Sequence, residues 1–264
     1  FVVAILAAYT ALNMAARVAG SEGVAARVWL AGGGIAMGIG VWAMHFIGML
    51  AMDLSMSMSY NASLTALSMV IAVGSSLFAL WLVSCDRLRL RRLLPGALVM
   101  GSGIVAMHYT GMAALEVMPG IIWDKVWVAI SVAIALAASL TALWLTFRLR
   151  HDAAQVVLMR TGAAITMGIA IAGMHYAGMK AAQFPMSTMV HHEGINGSWL
   201  AVLVSVVALS ILGITLLVSM LDARLQARTA LLASSLAEAN RELAQLALHD
   251  TLTRLPNRIL LEDR

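Results

Sequence analysis

The sequence has 264 residues, 61% hydrophobic and 11% charged, with a formal net charge of +4 and a single cysteine, Cys85. That is far more apolar sequence than a water-soluble core needs, so the composition indicates a membrane protein, and the basic excess is read by its placement rather than as a nucleic-acid footprint. One cysteine excludes an internal disulfide and any thiolate cluster within one chain.

A spanning helix needs about 20 mostly apolar residues. Seven stretches qualify, at about 1–19, 28–52, 63–84, 93–117, 127–147, 156–180 and 199–221. The opening run FVVAILAAYTALNMAA has no basic lead and no clear small-residue cleavage site, so it is expected to be a trimmed first span rather than a signal peptide. One set of connections carries Arg17 and Arg27, then Arg87, Arg89, Arg91 and Arg92, then Arg148, Arg150 and Arg160; the alternate set carries only Lys125 and Lys180. The positive-inside rule puts the arginine-rich set in the cytoplasm, with the N-terminus outside and the C-terminus cytoplasmic.

Three hexads, MHFIGM from Met44, MHYTGM from Met107 and MHYAGM from Met174, stand near the outward ends of the even-numbered spans. Met37-Gly38, Met100-Gly101 and Met167-Gly168 precede them at one fixed distance, giving M-G-x5-M-H-[FY]-x-G-M in every copy. The expected fold is therefore an all-α membrane protein whose seven transmembrane helices comprise three repeated helix pairs and an exit helix. Past Leu221 the sequence turns polar. Leu225, Leu232, Ala239 and Leu246 interleave with Thr229, Leu236 and Leu243 at heptad spacing, which reads as a short parallel coiled coil or as an amphipathic helix packed on another surface. The expected division is a seven-helix domain over 1–221, a signalling helix over 222–245 and the beginning of a further domain over 246–264.

The triple motif over residues 1–221 resembles the bacterial MHYT sensor domain, and the run LALHDTLTRLPNRILLEDR from Leu246 resembles the opening of a GGDEF domain, the module that makes cyclic di-GMP. These resemblances imply a multi-pass sensor of the bacterial inner membrane, itself not catalytic, joined to an output that makes or degrades cyclic di-GMP. They imply a copper site near the outer face, with oxygen, carbon monoxide or nitric oxide as signals, and a homodimer in which paired output modules face each other. The first motif departs from the family pattern at Phe46 and Ile47, and the third at Ala177.

The residues alone point to related chemistry. His45 and Met49, His108 and Met112, and His175 and Met179 are each four apart and share a helix face, whereas Met44, Met107 and Met174 lie about 100° around it. Imidazole with thioether is a soft, neutral donor set suited to copper(I), and neutral donors avoid burying carboxylates at membrane depth; zinc and a bis-histidine haem are the alternatives. Methionine is also an ordinary filler of apolar helices. Met52, Met56, Met58, Met118, Met186 and Met189 crowd the outer edge like an entrance, and His191, His192 and Glu193 share the last outer loop. Gly48, Gly111 and Gly178, each three after a histidine, are expected to admit close helix packing. Tyr109 and Tyr176 are candidates to hydrogen-bond a metal ligand or bound gas. Asp53, Glu116 and Asp124 read as solvated helix ends. A copper transporter or channel is the competing function.

Overall fold

The computed structural model describes residues 1–51, 59–85, 90–149, 156–185, 189–190 and 195–248. Its seven helices are α1 (Val2–Ala19), α2 (Gly23–Leu50), α3 (Ala62–Ser84), α4 (Leu90–Ala113), α5 (Lys125–Leu149), α6 (Val156–Ala181) and α7 (Gly197–Leu248). Among the described residues, six helices, α1 to α5 and α7, are long and apolar enough to cross a membrane. By packing, the chain divides into Phe1–Leu216 and Leu217–Arg264.

In the first unit each of α1 to α6 packs on the next, and α6 packs on α1, closing a ring of six. Glycine sets the contact between one pair and the next. A Cβ at Gly38 would lie 2.5 Å from the Val73 Cα, one at Gly101 3.2 Å from the Leu136 Cα, and one at Gly168 3.0 Å from the Ile5 Cα. Backbones approach there because no side chain separates them.

These contacts make Ile5, Val73 and Leu136 equivalent positions, and they identify α1 as the odd helix of the first pair. Counting from them, buried alanines recur at Ala4, Ala72 and Ala135, and a buried Ala-Leu step recurs at Ala11-Leu12, Ala79-Leu80 and Ala142-Leu143. Small residues face inward while Leu67, Val70, Leu98, Val99, Ile165 and Ile169 are exposed on the outside. Such a continuous apolar exterior suits lipid.

The α7 segment within the first unit buries Leu200, Val204, Ala208 and Leu212, a stripe at helical spacing. Leu212 meets Gly40 of α2, where a Cβ would stand 3.3 Å from its Cδ2. In the second unit, Leu225, Leu232, Leu236, Leu243 and Leu246 are between 62% and 70% exposed on the remainder of the helix.

Two-residue strands, which have too short a period to be read from sequence, tie the three connections at the histidine end. Strand β1 (Ser59–Tyr60) pairs with β6 (Ile195–Asn196), β2 (Val117–Met118) with β5 (Met189–Val190), and β3 (Ile122–Trp123) with β4 (Ala182–Gln183), all antiparallel. Two acids expected as solvated ends are engaged: the Glu116 carboxylate accepts from the Ser59 hydroxyl and the Asn61 amide at 3.4 and 3.5 Å, and Asp124 accepts from the Val126 N–H at 2.9 Å, capping α5. At the opposite end, Arg160 donates twice to the Leu149 carbonyl, at 3.3 and 3.1 Å, and closes the C-terminus of α5.

The packing separates two glycines that look alike in sequence. Gly38→Ala should lower stability by about 1–3 kcal/mol through overpacking, whereas Gly74, with open space around its Cβ position, should tolerate alanine or gain from it. Thermal unfolding of the detergent-solubilised variants measures the difference.

Candidate metal centre

The three motif histidines leave their helices at matching depths, from α2, α4 and α6, and converge inside the ring. His45, His108 and His175 are at most 1% exposed. Their rings stand edge to face, with centroids 4.7, 5.2 and 5.3 Å apart and interplanar angles of 74°, 87° and 84°. Nδ1 of His45 lies 3.1 Å from Nδ1 of His108 and 3.2 Å from Nδ1 of His175. One ring nitrogen from each of the three falls within 4.8 Å of the others.

Glycine makes the convergence possible. A Cβ at Gly111 would fall on Nε2 of His45, one at Gly178 on Nε2 of His108, and one at Gly48 on Nε2 of His175. Each imidazole therefore occupies the side-chain space missing from the next motif, and the three contacts close a circle. The Gly at His+3 thus serves the neighbouring histidine, a relation between helices that spacing within one helix does not reveal.

The hydrogen-bonding arithmetic of this cluster does not close. A neutral imidazole nitrogen either carries a proton and donates or carries a lone pair and accepts. Nδ1 of His45 faces Nδ1 of both others, and with one proton or one lone pair to offer it can complete a well-formed hydrogen bond to only one of them. The outward Nε2 atoms of all three are buried without a partner. An unsatisfied buried polar atom costs about 1–3 kcal/mol, a cost that leucine or phenylalanine would not incur. These histidines are poor packing residues.

A cation on the axis would resolve the conflict, since three lone pairs could point at it with the protons on Nε2. Three nitrogens at zinc-like bond lengths in tetrahedral array stand about 3.3 Å apart, close to the 3.1 and 3.2 Å observed. The donor set fits a metal in number, spacing and charge. It differs from most metal-bound histidines in one respect, because no carboxylate or carbonyl orients the outer nitrogens.

The remaining candidates divide. Met49, Met112 and Met179 are buried in an apolar cluster that also contains Phe46, Tyr60, Leu115 and Met107. Met44 and Met174 are buried as well. Burial holds the Tyr60 phenol above its ordinary pKa, so it remains neutral. The Tyr109 ring meets the His108 ring edge-on at 5.0 Å, but its hydroxyl pairs with the Ser131 hydroxyl at 2.8 Å. Tyr176 touches the His175 ring at 5.4 Å and is half exposed. Met118 is exposed. Met52, Met56, Met58, Met186, His191, His192 and Glu193 lie outside the described residues, as do Asp53 and 249–264 of the GGDEF-like run.

Comparison with known proteins places these features in context. The family model MHYT, described as a bacterial signalling protein N-terminal repeat, matches residues 38–96, 101–159 and 168–230. Each match starts in a histidine-bearing helix, so the repeat it defines runs from even helix to odd, the step across which Gly38 and Gly101 make their contacts. The chain is 59% identical, over its full length and 39% of the relative's, to the bifunctional diguanylate cyclase/cyclic di-GMP phosphodiesterase MucR of Pseudomonas aeruginosa. It is 35% identical to the cyclic di-GMP phosphodiesterase NbdA of the same organism, over 98% of this chain and 34% of that one. It is also 35% identical to the signaling protein YkoW of Bacillus subtilis, over 69% of this chain and 23% of that one. The chain thus spans about two fifths or less of the length of these relatives. No solved structure matches it.

The circular glycine contacts make a double-substitution test available. Gly48→Ala should destabilise the protein by about 1–3 kcal/mol because the new methyl meets the His175 ring. Adding His175→Ala should recover part of that loss in thermal unfolding, since residues in contact do not act additively. Strictly additive losses would show that the two side-chain positions do not compete for one space.

Proposed function

Because the chain belongs to the MHYT family of bacterial signalling proteins, and is sensor rather than catalytic sequence, we propose that its helical ring is a receptor for copper(I) at the extracytoplasmic end of the bundle. His45, His108 and His175 hold the ion through Nδ1. The observation carrying this reading is the cluster of three buried imidazoles in which His45 Nδ1 faces two ring nitrogens at once and all three Nε2 atoms lack a partner. Copper is favoured over zinc because the donors are neutral, lack the carboxylate partners that strengthen histidine toward a divalent ion, and sit among thioethers. Three-coordinate copper(I) would also offer a vacant position for oxygen, carbon monoxide or nitric oxide.

The protein's part is to keep three lone pairs facing one point, exclude water from them and report whether their repulsion has been relieved. Occupancy changes the energy of holding α2, α4 and α6 at their closest approach, and a ligand shifts a conformational equilibrium only through such a difference. One route outward begins on α2, which carries both His45 and the Gly40 position against which Leu212 of α7 packs. The same helix contains the heptad segment. We place its N-terminus outside and its polar end in the cytoplasm, following the arginine distribution, in the bacterial inner membrane. The leucines exposed at heptad positions are then covered by a second copy of the chain. MucR and NbdA are named for cyclic di-GMP turnover, and the GGDEF-like run from Leu246 makes control of that second messenger the output proposed for the whole protein.

Two measurements test this reading. Full-length protein purified from copper-supplemented cells should contain copper by elemental analysis, and the H45A/H108A/H175A variant should lose most of it; equal copper in both proteins would remove the site. Replacing Leu232 and Leu243 with Asp should convert a dimer to a monomer in light scattering while leaving the copper content unchanged.

A further inference from the structure

A second set of repeated side chains meets the bundle axis where the histidine site does not use it. Met37, Met100 and Met167 each precede a motif histidine by eight residues, which sets them about 12 Å deeper along their helices. All three are buried.

Two cavities adjoin them. One, of about 30 Å³, is lined by the three methionines together with Val41, Ile104 and Ile171, the residues one turn below the histidines. The other, of about 20 Å³, is lined by the same three methionines with Leu80, Leu143 and Thr146. The thioether layer thus lies between two small spaces on the axis. Each space exceeds the roughly 10–15 Å³ needed for one water-sized sphere.

Methionine is the most adaptable filler of an apolar core, and interiors normally close around it to leave few voids of this size. Here three methionines from equivalent positions leave room on both sides. The upper cavity also has a polar group with nothing to bind: Ser139 is 1% exposed, lines the space, and its hydroxyl has no hydrogen-bond partner. Ser76, its equivalent on α3, lines the same space.

We propose that Met37, Met100 and Met167 form a second binding site, for a soft monovalent cation such as copper(I) or silver(I), held by three thioether sulfurs beneath the histidine centre. Thioethers select soft ions and exclude calcium, magnesium and the alkali metals. They also bring no charge of their own into the membrane interior. The adjoining Ser139 hydroxyl offers an unengaged oxygen to a water beside the ion. The site stands on its own geometry and does not require the histidines to bind metal.

The test is silver(I) titration of the full-length protein in detergent, by calorimetry, for wild type, M37L/M100L/M167L and H45A/H108A/H175A. Leucine matches methionine closely in volume, so the methionine variant should fold; if the triple variant fails to fold, M100L alone is titrated and should bind at least tenfold more weakly. The methionine variant is expected to lose one equivalent of silver that the histidine variant keeps. X-ray absorption of the copper(I)-loaded histidine variant should show sulfur neighbours only. Unchanged silver stoichiometry and affinity in the methionine variant, or in M100L where that is the one titrated, would overturn the proposal. A histidine variant that binds as many equivalents of silver as wild type, beside a methionine variant that loses one, would support the inner site while counting against the histidine reading.

Discussion

Three glycines allow three imidazoles to share one axis, and the outer end of the ring is built around that approach. Where a side chain would stand on Gly48, Gly111 or Gly178, the structure has the histidine of a neighbouring motif. Removing the side chain from one helix and inserting the ring of another makes the contact mutual, and three repeats turn it into a closed circle. The resulting proximity is unfavourable for the bare rings, because His45 Nδ1, with one proton or one lone pair, faces two ring nitrogens at once and every Nε2 is left without a partner. Close packing therefore imposes an electrostatic conflict that a cation can relieve. The protein's proposed sensitivity to its ligand has the same origin.

The ring must close for this to happen. Gly38 and Gly101 bring each pair against the next, and Gly168 meets α1, so the first helix supplies the surface that completes the third contact. The strands among the outer connections join these loops pairwise, and Tyr60, fully buried, packs its ring on Phe46 just outside the histidines. Trp42 adds a polar tie between α2 and α3, donating to the Ser68 hydroxyl at 3.0 Å. Its buried N–H is satisfied for the reason any polar group at membrane depth must be.

Neutral donors run through both proposed sites. Imidazoles at one level and thioethers at the next would let a monovalent ion rest inside an apolar bundle without a buried carboxylate, whose desolvation would be costly. Between the two levels lie Val41, Ile104 and Ile171, an aliphatic layer. That separation makes the two levels chemically distinct stations rather than one extended ligand cage. It also places the histidine level nearer the connections and the methionine level nearer the middle of the ring.

The helices, their repetition and the common depth of His45, His108 and His175 were legible in the sequence, because apolar length and repeat spacing are local properties. Six of the predicted apolar stretches match helices to within about five residues, and the seventh matches near its start but its helix continues to Leu248. The role of α1 was harder to read, since its kinship with α3 and α5 lies in small residues such as Ala4 and Ala11 rather than in the motif. Helical spacing put the motif methionines Met49, Met112 and Met179 beside the histidines, yet it did not separate packing in the outer cluster from facing the axis. Nor did it distinguish Met37, Met100 and Met167, which line the axial cavities. Which ring nitrogen faces its counterparts, and which glycine receives which imidazole, depend on side-chain rotamer and on the rotation of one helix against another. Those are relations between segments far apart in the chain, and only the closed ring of helices decides them.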